Sequence, residues 1–186
     1  SSIRAGDVVL VSGPGAIGLM AAQVAKAQGA VVVLSGTAID QTRLELASTL
    51  GIDYTVNIQE ESLTDRINLL TGSEGADCVI ECSGNAAATN AGMLLCKKRG
   101  YFVQIGLGGK PVTFNLDTVC YRELRFSGSL GSTKWSWNKA IDLVAGGRVN
   151  LAALASHTMP ITRWREAFDL FENKQGCKLI LTPVTD

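Results

Sequence analysis

Apolar residues along the chain fall into two alternating textures. Short, β-branched apolar runs recur near residues 8–12, 31–35, 54–56, 77–82, 101–106 and 124–129, the length of strands and too short for helices. Between them the apolar positions take a helical spacing. Residues 16–28 are rich in Ala, Met and Gln and close on Gly29, and Asp40 can cap a helix running through Arg43, Leu44, Leu46, Ala47 and Leu50. Further helices are predicted over 62–71, with Leu63, Ile67 and Leu70 inward, over 86–96, briefly over 116–121, and over 135–144 before Gly146 and Gly147. Strands alternating with helices in this way are consecutive βαβ units. The pattern therefore predicts an α/β fold over residues 1–149, a doubly wound parallel six-stranded sheet with helices on both faces.

After Val149 the texture changes to a strand at 155–159, a helix at 163–172 and a strand at 178–182, read as a separate segment spanning 150–186. Its helix carries Trp164, Ala167, Phe168, Leu170 and Phe171, more apolar surface than a short surface helix normally shows.

Composition narrows the function. Hydrophobic residues make up 46% of the 186 and charged residues 18%, with 17 basic against 17 acidic side chains. Scattered, balanced charge leaves no footprint for nucleic acid or an anionic membrane surface, and suits a protein that binds small molecules. No apolar run approaches the roughly 20 residues that span a bilayer, and the first seven residues lack a secretory layout, so a cytoplasmic location is expected. Cys78, Cys82, Cys96, Cys120 and Cys177 are odd in number and show no C-x-x-C pair; they read as buried free thiols.

The chemical signal is Gly13-Pro14-Gly15-Ala16-Ile17-Gly18, a G-x-G-x-x-G motif lying between a buried strand and a helix. Gly13 permits a tight turn, Gly15 lets main chain approach a pyrophosphate, and Gly18 lets helix pack on sheet. The free amides and positive end of the helix then hold the phosphates without a basic side chain, and none stands between Ala5 and Lys26. The expected fold is thus a dinucleotide-binding, or Rossmann, domain. The acid that commonly follows at the end of the second strand is replaced by Ser35, Gly36 and Thr37. Without a carboxylate there, hydroxyls and Arg43 can receive a 2'-phosphate, which tilts the expected cofactor toward NADP over NAD. Asp40, presented by a longer loop, is the counter-argument.

Several stretches in order resemble the cofactor domain of medium-chain, zinc-type alcohol and polyol dehydrogenases, most closely the sorbitol and threonine dehydrogenase branch. They are IRAGDVVLV at 3–11, GPGAIGLMAAQVAKAQGA at 13–30, RLELA at 43–47, GADCVIECSG at 75–84 and GYFVQIGL at 100–107; HTMPI at 157–161, EAF at 166–168 and CKLIL at 177–181 are similar to the family's closing segment. The resemblance implies that Cys82, Ser83 and Gly84 lie under the cofactor, that Ile105, Gly106 and Leu107 flank the nicotinamide, and that Gly128, Ser129 and Leu130 bound its far side. It also implies hydride transfer to or from a secondary alcohol or polyol, polarised by zinc held in a preceding catalytic domain, and a homodimer or tetramer formed by pairing the edge strand at 124–129.

The chain departs from that pattern where the metal is concerned. It has one histidine, His157, and no cysteine set suited to zinc, so the zinc is expected only in a domain missing from this chain, which begins close to the first strand as an excised half would. No Tyr has a Lys four residues on, which removes a short-chain dehydrogenase. The cofactor half of a zinc-free quinone or enoyl reductase remains an alternative, as does a module that senses dinucleotide and catalyses nothing.

Overall fold

A computed structural model describes residues 3–184. Six strands form one parallel sheet: β1 (Val8–Ser12), β2 (Val31–Gly36), β3 (Tyr54–Asn57), β4 (Ala76–Glu81), β5 (Cys96–Gln104) and β6 (Arg125–Gly128), in the order β3-β2-β1-β4-β5-β6. The order reverses between β1 and β4, and in such sheets the crevice above the carboxyl ends at that point receives ligands.

Side chains along each strand alternate between two cores because successive Cβ atoms point to opposite faces. Val9, Val11, Val32, Leu34 and Ile80 meet Leu19, Ala22 and Ala25 of α1 (Ala16–Ala27) and Leu44 and Ala47 of α2 (Gln41–Thr49). Val8, Leu10, Val33, Val56, Val79 and Phe102 meet Ile67 of α3 (Leu63–Thr71) and Met93 and Leu95 of α4 (Ala86–Leu95) on the other face. In α3 only Ile67 is fully buried; Leu63 and Leu70 are packed at the core's margin.

Two aspartates fasten the entry ends of the strands. Asp77 accepts the Val8 amide at 2.8 Å and pairs with Lys97. Asp53 accepts the Val32 amide at 2.7 Å and the Lys26 ammonium at 2.7 Å. α5 (Asp117–Tyr121) leads into β6, an edge strand exposed at all four residues, with Phe126 stacked 5.0 Å from Phe102. α6 (Lys134–Ala145) buries no residue among those described.

The remainder is a smaller βαβ unit in which β7 (Ala155–Pro160) pairs in parallel with β8 (Lys178–Thr182) across α7 (Trp164–Glu172). It is docked on the larger sheet. Leu154 and Cys177 enter the α1-side core, and the Gln23 side chain accepts the Asn150 amide at 2.7 Å. Trp164, Phe168 and Phe171 are about half exposed, at 47%, 56% and 58%, and only Ala167 of α7 is buried.

Candidate cofactor site

β1 runs into the glycine turn through a bond from the Gly13 amide to the Ser35 carbonyl at 2.9 Å, which holds the turn against β2. Gly13 has a φ of +97°, and a Cβ there would press on Ser83 at 2.8 Å. A Cβ on Gly18 would collide with the Gly13 carbonyl, so α1 sits directly on the turn. Gly15 differs from both. It is the residue before α1, no side chain caps the helix there, and a Cβ on it would meet nothing within 4 Å.

The first amides of a helix have no partner four residues back, and those of Ala16, Ile17 and Gly18 have no acceptor among the described residues. They lie in the first turn of α1, directly after Gly15, at the positive end of the helix dipole. Unpaired donors, a field favouring negative charge and room for main chain to approach together fit a pyrophosphate. Ile17, 51% exposed, stands beside this opening.

The residues expected at the adenosine end are engaged with partners within the protein. Ser35 is buried, and its hydroxyl is turned back toward the Val11 carbonyl at 3.5 Å, so it does not meet the crevice. Gly36 lies under the Pro14 ring, which leaves no room for a larger side chain. Thr37 donates both its amide, at 3.2 Å, and its hydroxyl, at 3.0 Å, to Asp40 Oδ2. Asp40 closes a 3-10 turn (Ala38–Asp40) ahead of α2 and reaches back to Thr37 rather than capping α2. The Arg43 guanidinium is buried, giving Nε and Nη2 to the Gly176 carbonyl at 2.9 and 2.7 Å and Nη1 to Asp40 Oδ1 at 3.3 Å.

The β4 end is organised by a residue to which the sequence pattern assigned no role. Glu81 has none of its surface exposed. Its carboxylate accepts the Ser83 amide at 2.8 Å, the Ser83 hydroxyl, the Gly84 amide at 2.9 Å and the Gln104 amide nitrogen at 2.5 Å, while its carbonyl accepts the Ile105 and Gly106 amides. Four donors match the lone pairs of two oxygens, so the buried group is satisfied. The loops after β4 and β5 are thereby tied together, and Gly106 is pressed so close to Gly84 and Glu81 that no side chain fits. An acid directly after the apolar pair Val79-Ile80 was the available signal, because a buried carboxylate must be surrounded by donors.

Leu107 and Leu130 are 78% and 84% exposed at the rim of the same end of the sheet, and the Ser129 amide continues the ladder onto the Gln104 carbonyl at 3.0 Å. An open cleft of about 600 Å³ lies between Gly84, Gln104, Gly106, Leu107, Phe114 and Phe126. Cys82 is half-buried beside these loops, and desolvation, then the neighbouring Glu81, pushes its thiol up to about 12. Of the cysteines expected to be buried, Cys78, Cys96 and Cys177 are, whereas Cys120 is exposed. No three His, Cys, Asp or Glu side chains converge among the described residues, so these residues do not fit a zinc ion. His157 Nδ1 lies 3.1 Å from the Ser156 hydroxyl, away from the crevice.

A parallel 3-2-1-4-5-6 sheet with a bare glycine turn at its switch point defines the dinucleotide-binding class of α/β proteins. Residues 16–146 match the family model of the zinc-binding dehydrogenases, and the chain belongs to that family. It is 38% identical over 185 residues to a sorbitol dehydrogenase of Halalkalibacterium halodurans, covering 99% of this chain and 54% of that protein. It is 36% identical to an L-threonine 3-dehydrogenase of Bacillus subtilis, covering 96% and 52%. Among solved structures, an alcohol dehydrogenase from Thermus sp. ATN1 superposes with a TM-score of 0.87 at 29% identity, covering 98% of this chain and 52% of that one. The chain thus spans about half the length of the relatives it matches.

Proposed function

We propose that this chain binds and orients a nicotinamide dinucleotide for a dehydrogenase acting on a secondary alcohol or polyol. Residues 1–149 would hold the cofactor, and residues 150–186 would belong with the catalytic domain. The observation that carries the reading is the open face of Gly15 with three unpaired amides behind it. Gly13, Gly15, Ala16, Ile17 and Gly18 take the pyrophosphate on main-chain donors. Cys82, Ser83 and Gly84, with Ile105, Gly106 and Leu107, form the floor and wall of the nicotinamide end, held in place by Glu81, and Ser129 and Leu130 close its far side. When bound, the nicotinamide supplies a hydride acceptor or donor at its C4 carbon. This chain's residues fix the face of the ring and exclude water; they take no part in polarising the substrate oxygen.

The ribose end supports NAD(H) over NADP(H), the reverse of the expectation from residues 35–37. The Asp40 carboxylate stands at Thr37 with one lone pair left after its three bonds, which supports its accepting from a ribose hydroxyl and disfavouring a 2'-phosphate, while Arg43 and the Ser35 hydroxyl are turned to partners within the protein. Calorimetric titration tests both statements. NADH is expected to bind at least tenfold more tightly than NADPH, and the absence of heat for either at millimolar concentration would sink the dinucleotide reading. The exposed β6 edge supports a homodimer built by pairing that strand with its twofold copy. Sedimentation showing only monomer at high concentration excludes it. Cys82, Cys96, Cys120 and Cys177 stand as free thiols, which supports a reducing compartment such as the cytoplasm.

A further inference from the structure

Arg43 has 6% of its surface exposed, which is rare for a charged side chain and requires a reason. Its guanidinium spans two parts of the molecule. On one side Nε and Nη2 converge on the Gly176 carbonyl, immediately before β8. On the other side Nη1 reaches Asp40 Oδ1, and the second oxygen of that carboxylate receives the amide and hydroxyl of Thr37, the residue that follows β2. The Gly176 end is equally fixed: its φ is +94°, the Ser156 hydroxyl and His157 ring fill the space a side chain would take, and the Cys177 amide donates to Ser156 Oγ at 3.0 Å. The small unit is also docked by Gln23 on Asn150 and by the packing of Leu154 and Cys177 into the α1-side core.

We infer that Arg43 is a positioning residue that couples the adenosine end of the dinucleotide site to the seating of the β7-α7-β8 unit. A planar fork cannot swing toward one acceptor without leaving the other. Seating of the small unit holds Arg43, Arg43 holds the plane of the Asp40 carboxylate, and a ribose diol then meets an acceptor already oriented, without the cost of ordering it. Linkage makes the effect reciprocal: whatever docking contributes to ribose affinity, ribose binding contributes to docking. The inference rests on the dinucleotide reading proposed above.

Hydrogen exchange of the full chain, with and without saturating ADP-ribose or nicotinamide mononucleotide, tests it. ADP-ribose is expected to slow exchange about fivefold in residues 154–160 and 176–182, and nicotinamide mononucleotide, which lacks the adenosine, to leave those segments unchanged. Arg43→Met is expected to bind ADP-ribose about five- to tenfold more weakly and, once saturated, to show no slowing there. Arg43→Lys keeps a charge that can reach either acceptor but not both, and is expected to retain less than half the slowing; it decides the question if the methionine variant does not fold. Undiminished slowing in the lysine variant, or in a folded methionine variant, overturns the inference, as does wild-type protein that binds ADP-ribose without any slowing. If ADP-ribose does not bind at all, the dinucleotide reading fails, and the coupling with it.

Discussion

Each glycine of the turn is excluded from substitution for a different reason, and this separates binding from stability. Gly15→Ala adds a methyl group into open space at an ordinary φ of −71°, so the melting temperature should stay close to wild type while NADH affinity falls at least tenfold. Gly18→Ala should do the opposite in a thermal melt, losing roughly 1–3 kcal/mol because the new carbon meets the Gly13 carbonyl. Glu81→Gln places an NH2 group among the Ser83, Gly84 and Gln104 donors and should cost about 2–3 kcal/mol in denaturant unfolding, with weaker NADH binding as the two loops separate. Cys82, with its thiol pushed up to about 12, stays protonated at pH 8. Iodoacetamide should therefore label exposed Cys120 well before Cys82, as mass spectrometry of peptides would show. The glycine pattern was legible because spacing and flanking elements define it. The ribose end was not, since sequence places Ser35 and Arg43 along the chain without saying which way a side chain turns or that Gly176 lies within reach.

At the scale of elements, periodicity located every strand of the larger sheet and the helices between them: β1, β2 and β4 are buried almost throughout and leave an apolar run, while the exposed edge strand β6 was placed by its position after the short helix of the pattern. Its errors fell where hydrogen bonding rather than burial sets the boundary. β5 begins at Cys96, ahead of the turn at Arg99 and Gly100, because the chain pairs first at Ala76 and then, after a shift of register, at Cys78. The helix expected to be capped by Asp40 is preceded by a 3-10 turn that Asp40 itself closes. The roles of Asp53 and Asp77 were unremarked in the sequence because each acts on an amide at the start of another strand, Val32 of β2 and Val8 of β1. Asp53→Asn and Asp77→Asn should each lower stability by about 1–2 kcal/mol in urea unfolding without changing NADH affinity, since both lie at the end of the sheet opposite the crevice.

For the molecule as a whole, two parallel sheets of unequal size share one core at Leu154 and Cys177, and the smaller leaves Trp164, Phe168 and Phe171 half exposed. The change of texture after Val149 coincides with the passage to the two-stranded β7-β8 sheet, but the docking of that sheet through Arg43 and Gln23 was hidden in polar residues more than a hundred positions from their partners. A cofactor cradle formed by backbone also has an evolutionary corollary. No functional group at Gly15 exists for a mutation to delete, so ligand binding is lost there only by adding bulk, and scanning with alanine, which elsewhere removes atoms, here inserts one. Such a cradle tolerates wide drift in the residues around it, which is the behaviour expected of a scaffold kept while the chemistry attached to it diversifies.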